Sequence, residues 1–223
     1  MHAKRQLSRP KAPRTHRLVT TFLLLRHGET LWNREGRLQG WQDSPLTEDG
    51  LAQADALAAR LADERLNVLV ASDLGRARDT AVPIAGRLGL PLALDAGLRE
   101  RCYGVLEGMT WREIECTHPD VYVRLKARDV DYVVPGGESA TQFCDRIVAT
   151  LEHLARQHVA ASIAVVTHGG VLSIVYRRAN GIALELPRTF SVANAGVNRV
   201  RIDGTRWIVD AWGEVDHLPR AAL

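Results

Sequence analysis

Short apolar runs of strand-forming residues alternate along this chain with longer segments of helical periodicity, and that alternation confines it to an α/β sheet. The first run is Phe22 to Leu25. Thr47 is placed to cap a helix with Glu48 and Asp49 in its first turn, after which Leu51, Ala54, Ala58 and Leu61 recur at helical spacing. Asn67 to Ala71 reads as a second buried strand, Gly75 to Leu88 as a helix that stops before Gly89, and Leu92 to Leu94 as a short third strand. Gly97 to Gly137 is irregular, with short helices expected around 111–117 and 119–128. Ser139 caps a long helix reaching about His158. Ser162 to Thr167 is the most strand-like run, and a helix follows Gly170 to about Ala179. Val197–Ile202 and Trp207–Trp212, joined through Asp203-Gly204-Thr205, read as a hairpin at a sheet edge. With no internal repeat or linker, a single domain over residues 20–223 is the economical reading.

The formal charge of +3 invites an anionic polymer as partner, but its distribution argues otherwise. Residues 1–17 contain six basic residues and no acid; without them, 23 basic residues face 26 acidic ones. The basicity belongs to residues 1–19, a polar, proline-containing stretch expected to be disordered. Followed by the apolar run 18–25, it imitates a secretory signal, yet no small-residue cleavage site follows; its arginines also imitate an organellar transit peptide. Nothing approaches the ~20 apolar residues of a membrane span. Cys102, Cys116 and Cys144 are odd in number and lack zinc-like spacing. They are expected as free thiols in a reducing cytoplasm, Cys116 and Cys144 as small buried hydrophobes.

Ligands of open α/β sheets bind beyond the carboxyl ends of the strands, and here the strands run directly into polar groups. The first ends in Arg26-His27-Gly28-Glu29-Thr30, the second in Ser72-Asp73-Leu74-Gly75-Arg76, and the 162–167 strand in His168-Gly169-Gly170; Arg99-Glu100 follows the third. Two histidines, two arginines and a glutamate thus converge on one edge. The residue types suit phosphoryl transfer. Arginines match phosphate oxygens with a planar fork, and Gly28, Gly169 and Gly170 permit close approach of backbone N–H groups. A neutral imidazole attacks phosphorus, and neighbouring arginines keep it neutral. A carboxylic acid protonates the leaving oxygen and, as carboxylate, activates water. Fixed cationic donors make a metal unnecessary, so neither metal nor cofactor is expected.

Arg26-His27-Gly28-Glu29-Thr30-Leu31-Trp32-Asn33 resembles the signature of the histidine phosphatase, or phosphoglycerate mutase-like, superfamily. The resemblance continues in family order through Gly36 to Trp41, Pro45-Leu46-Thr47, Ser72 to Ala81, Leu98-Arg99-Glu100, Gly104, Glu107-Gly108, Pro135 to Ser139 and Thr167 to Gly170. It implies a three-layer α/β/α sandwich around a central, mostly parallel sheet. It also implies that His27 is the nucleophile, passing through a phosphohistidine, with Glu100 as proton donor and acceptor. Arg26, Asn33, Arg76 and His168 bind the phosphoryl group. Thr30, Gln39, Gly40, Tyr103 and Gly169 complete the expected substrate set, Thr30 through a hydroxyl that supports the loop. Glu29 and Glu107 rank below Glu100 as acids, and Glu138 and Arg78 are read as structural or surface groups. His118, His153, His158 and His217 are read as surface residues, and Asn194 as a buried structural hydrogen bond.

The interval from Gly108 to Pro135 is shorter than the mutases' insert and lacks their paired arginines, although Arg101 and Tyr103 stand at mutase-like positions. The resemblance therefore favours a phosphatase of small phosphorylated metabolites over a mutase. A lid is expected from residues 103–135, with Tyr103, Met109, Trp111, Tyr122 and Tyr132 as available contacts, ordinary packing being the alternative role for the aromatics. The competing readings are a non-catalytic phosphate-binding regulator and a metallohydrolase using His27, His168 and Glu100. No membrane is expected as partner, nucleic acid only through the tail, and a homodimer is allowed.

Overall fold

The structure is a computed structural model in which residues 19–218 are described. The tail expected at 1–19 lies outside them apart from Val19. Six strands form one sheet: β1 (Thr20–Arg26), β2 (Val68–Ala71), β3 (Leu92–Leu94), β4 (Ser162–Thr167), β5 (Val197–Asp203) and β6 (Arg206–Glu214). Their order is β3-β2-β4-β1-β5-β6. The first four are mutually parallel, whereas the β5–β6 hairpin is antiparallel to its neighbours and closes one edge. β1 is longer than the apolar run alone indicated, because backbone pairing to β4 and β5 extends through Thr20 and Arg26.

Alternation along β1 explains the layers. Phe22 and Leu24 face a core shared with Phe143, Ile147 and Leu151 of α6 (Ala140–Gln157) and Val171, Leu172 and Val175 of α7 (Gly169–Asn180). Leu23 and Leu25 face the opposite core, built with Leu57 and Ala58 of α2 (Glu48–Arg60) and Ala77, Ala81 and Ile84 of α3 (Gly75–Leu88). The result is the expected three-layer sandwich. In α2 the buried stripe runs through Gln53, Ala54, Leu57 and Ala58, so Leu51 lies on the solvent face, 54% exposed, against expectation. Residue 50 explains the choice: Gly50 presses against β1's exit, which rotates its neighbour outward.

Local chemistry sets the helix ends. Thr47 accepts from Gly50 N, and Ser139 forms a reciprocal box with Gln142 at the start of α6. α3 ends on Gly89 with φ +64°, a conformation open to glycine at little cost. Beyond the sheet's carboxyl edge, α4 (Trp111–Thr117) and α5 (Pro119–Lys126) cover a separate small core of Leu106, Ile114, Val121 and Val134. The short α1 (Leu31–Glu35) follows the β1 exit directly. All three cysteines are free, but Cys116 is exposed, because its side of α4 faces away from that small core.

At the β1 exit Gly28 does a different task from the anion approach expected of it. Its N–H donates to Thr80 Oγ1 at 3.0 Å, and a Cβ there would collide with the Gly50 carbonyl. Gly28→Ala is therefore expected to destabilise the protein by about 1–3 kcal/mol in urea unfolding. An unchanged midpoint would show that the two segments are not in forced contact.

Candidate active site

The carboxyl edge of the sheet opens into a polar cavity of about 250 Å³. Arg26, His27, Asn33, Gln39, Gly40, Arg76, Glu100, Tyr103 and Gly169 line it, together with Arg37, Arg188 and Val192. β1 and β4 are adjacent, with Arg26 paired to Thr167, so the residues that follow them, His27 and His168, meet. Their ring centroids are 5.2 Å apart, and they are 3% and 0% exposed.

His27 Nδ1 lies 2.7 Å from Gly28 O. A carbonyl only accepts, so Nδ1 carries the proton and Nε2 of the neutral ring holds a lone pair. Burial, then the Arg76 and Arg26 charges, hold the His27 imidazole well below its usual range. His168 is held down in the same direction by burial first, then Arg76 and the His27 ring. Its Nε2 is 2.8 Å from Ser72 Oγ, and its buried Nδ1 has no protein partner.

Two arginines are fixed by backbone carbonyls, and each keeps a buried Nε–H without a partner. Arg26 donates to Val192 O at 2.7 Å, and its Nε is buried without a partner. Burial lowers its pKa to about 10. Arg76, 2% exposed, donates to Gly40 O and Gln42 O and pairs with Asp43 at 2.8 Å, again leaving Nε unpartnered. Buried polar groups are nearly always hydrogen-bonded, so three such donors converging beside one imidazole describe a site for an anion. Asn33 Oδ1 accepts from Thr30 N, Thr30 Oγ1 and Asn194 Nδ2, which leaves the Asn33 amide N–H groups as its contribution to the cavity.

Glu100 faces this group. Its carboxylate accepts from Arg101 N and Gly170 N, each at 2.8 Å. A Cβ at position 170 would occupy the carboxylate's place, so the second glycine of the pair makes room for the acid. The rival acids sit elsewhere. Glu29 accepts from Arg34 and Thr47, while Glu107 accepts from the backbone N–H groups of Trp41, Gln42 and Tyr103. Glu138 pairs with Arg146, and exposed Arg78 pairs with Asp79.

Several expectations need correction. Thr30, placed in the substrate set, does not line the cavity; its hydroxyl does support the loop as expected, capping α1 through Asn33. Of the five lid contacts only Tyr103 reaches the cavity. Met109, Tyr122 and Tyr132 pack on the small core, and Trp111 meets the Tyr122 ring edge-on. His217 is half-buried against Ala195 O rather than on the surface. Asn194 does form the expected hydrogen bond, to His27 O at 3.0 Å, and Ala195 N reaches the Arg26 and His27 carbonyls, so the 192–196 loop braces the β1 exit. Arg37 and Arg188 were not anticipated. Both come from loops, and only the 37–41 part of the matching motifs could have pointed to the first. Among the described residues, no group of three or more His, Cys, Asp and Glu side chains is arranged to hold a metal ion.

Comparison with known proteins agrees with this geometry. The chain is 41% identical over 203 residues to a metal-independent phosphoserine phosphatase of Arabidopsis thaliana, covering 90% of this chain and 84% of that protein. It is 37% identical to phosphoglycerate mutase-like protein 4 of the same plant, covering 88% and 86%. Among solved structures, Bacillus stearothermophilus YhfR superposes with a TM-score of 0.83 at 33% identity, covering 90% of this chain and all of that one. A mycobacterial glucosyl-3-phosphoglycerate phosphatase superposes with a TM-score of 0.78 at 29% identity, covering 88% and 100%. Residues 22–215 match the sequence profile of the histidine phosphatase superfamily (branch 1), and the chain belongs to that family.

Proposed function

We propose that this enzyme hydrolyses a small phosphorylated metabolite through a phosphohistidine at His27. The observation that carries the reading is the His27 tautomer, a buried neutral ring with Nδ1–H tied to Gly28 O and Nε2 free among three unpartnered cationic or imidazole donors. Nε2 attacks phosphorus while the ester P–O bond breaks, and the leaving oxygen takes a proton from the Glu100 carboxylic acid. Arg26, Arg76, His168 and Asn33 hold the three equatorial oxygens. For His168 to donate from Nδ1, the Ser72 hydroxyl donates to its Nε2. Glu100, now a carboxylate, removes a proton from water, whose oxygen displaces His27 and releases inorganic phosphate.

The non-reacting part of the substrate meets Gln39, Gly40, Tyr103 and Arg188. Arg188 has no hydrogen-bond or ion-pair partner in the described residues and stands free to contact it. Phosphatase activity is favoured over mutase activity because the short 108–135 segment packs Met109, Tyr122 and Tyr132 on its own core rather than building a second phosphate subsite. A mutase needs such a subsite to retain the bisphosphorylated intermediate. No helix among the described residues is long and apolar enough to cross a membrane. We assign the enzyme to the cytoplasm, a setting compatible with its free thiols.

Purified enzyme is expected to release phosphate from p-nitrophenyl phosphate, and His27→Ala to reduce the rate by about 10⁴-fold or more. Rapid quench should trap acid-labile phosphate on the wild type alone, and EDTA should leave the rate unchanged. Loss of activity with EDTA, restored by a divalent ion, would instead support a metallohydrolase.

Offered phosphoserine, or 3-phosphoglycerate with and without 2,3-bisphosphoglycerate, the enzyme should liberate inorganic phosphate. Formation of 2-phosphoglycerate outpacing hydrolysis would overturn the phosphatase assignment.

Acid should weaken the fold through the two histidines. Both imidazoles titrate lower in the folded protein than in the unfolded chain, so below about pH 6.5 the unfolded chain binds more protons. Stability is then full above pH 6.5 and falls as pH drops toward the folded values, by up to about 1.4 kcal/mol per pH unit for each group. Urea unfolding at pH 7, 6 and 5 should show a shallower decline in a His27→Gln, His168→Gln double variant. Equal slopes would contradict the burial of neutral rings.

A further inference from the structure

Arg146 lies on α6, behind the cavity and not in its wall, and all five of its N–H groups are used. Nε and Nη2 grip the Glu138 carboxylate at 2.9 and 2.8 Å. Nη1 donates to Gly97 O and Arg99 O at 2.9 and 3.0 Å, and the second Nη2 proton goes to Glu100 O at 3.1 Å. Three of the five acceptors are therefore main-chain carbonyls within four consecutive residues that end at Glu100. The pair reaches the other side of Glu100 as well. Glu138 Oε2 accepts from Cys102 N at 2.9 Å, and Glu138 O accepts from the Arg101 guanidinium. Trp41 Nε1 adds a second donor to Glu100 O at 2.9 Å, with Arg99 stacked over its ring.

We propose that Arg146, locked by Glu138, is a positioning residue for the proton donor, fixing the main chain on both sides of Glu100 so that its carboxyl points at the leaving oxygen. This rests on the reading of Glu100 as general acid. The planar fork satisfies three carbonyls and a carboxylate together only when the 97–100 chain follows this one path. The carboxylate itself is held by just two backbone N–H groups, one of them from the next residue in the chain. Its aim therefore follows the main chain, and proton transfer demands heavy atoms within about 2.6–3.2 Å. A displacement of about 1 Å is enough to lose much of that contribution. Lysine, a point donor on a flexible stem, could keep the ion pair to Glu138 but could not span the carbonyls.

The test uses two substrates that differ in their need for a general acid. Glycerol phosphate leaves as an alkoxide and needs the proton; p-nitrophenyl phosphate leaves as a stable phenolate and needs it far less. The ratio of kcat/KM for the aryl over the alkyl ester reports ester cleavage alone, since breakdown of the phosphoenzyme follows the first irreversible step. Glu100→Gln should raise this ratio by about 10²-fold or more. Arg146→Lys should raise it by about tenfold and Arg146→Gln further, with inhibition by inorganic phosphate within about twofold of wild type. Arg146→Lys preserves the partly buried charge and serves if the glutamine variant does not fold. If the Arg146 variants keep the wild-type ratio while Glu100→Gln raises it, the proposal fails and the role of Glu100 stands. Equal losses on both esters with weakened phosphate inhibition would assign Arg146 a general structural part and overturn it too. An unchanged ratio in Glu100→Gln would remove the general acid itself, and this proposal with it.

Discussion

The pairing of β1 with β4 in one register is the constraint on which the site depends. Side chains alternate along a strand, so a slip of one residue would carry His27 and His168 to opposite faces and exchange the two cores. With Arg26 opposite Thr167, the same alternation that buries Phe22 and Leu24 on one side and Leu23 and Leu25 on the other delivers both imidazoles to the carboxyl edge. Burial then does chemical work: it keeps both rings neutral, which a nucleophile requires, and removes water from the donors beside them.

The donors are held before any substrate arrives. Arg76 is fixed by two carbonyls and a carboxylate, Arg26 by Val192 O, and the backbone of His27 by Asn194 and Ala195. A preorganised dipole costs no reorganisation when charge moves onto the phosphoryl oxygens. The expense falls on the folded state, which buries Arg26 Nε, Arg76 Nε and His168 Nδ1 without protein partners. Two extended apolar cores on either side of the sheet offset that penalty.

Much of this was legible in the sequence, for local reasons. Strand runs ending in polar clusters located His27, Arg76 and Glu100 in the cavity wall and His168 beside His27, and capping residues Thr47 and Ser139 marked helix starts that the structure keeps. What escaped depends on packing between distant segments. Leu51 looks like part of the α2 stripe until Gly50 meets the β1 exit, and Gly28 looks like an anion loop until its N–H is seen on Thr80. Tyr122 and Tyr132 suit a lid as well as they suit a core, and only the fold shows which they serve. Arg188 and Arg146 carry no local signature, because what they reach is set by loop paths and by the placement of α6.

The small core of Leu106, Ile114, Val121 and Val134 gives the segment above the cavity a cohesion of its own. Its close main-chain approach, Gly104 against Pro135 to Gly137, joins its two ends to each other. It is therefore a unit with a core separate from the two that flank the sheet. Over evolutionary time such a cap can accept insertions and new side chains while β1, β4 and the phosphate donors stay as they are. Diversification of the molecules recognised and retention of the bond cleaved are then mechanically separable properties of one chain.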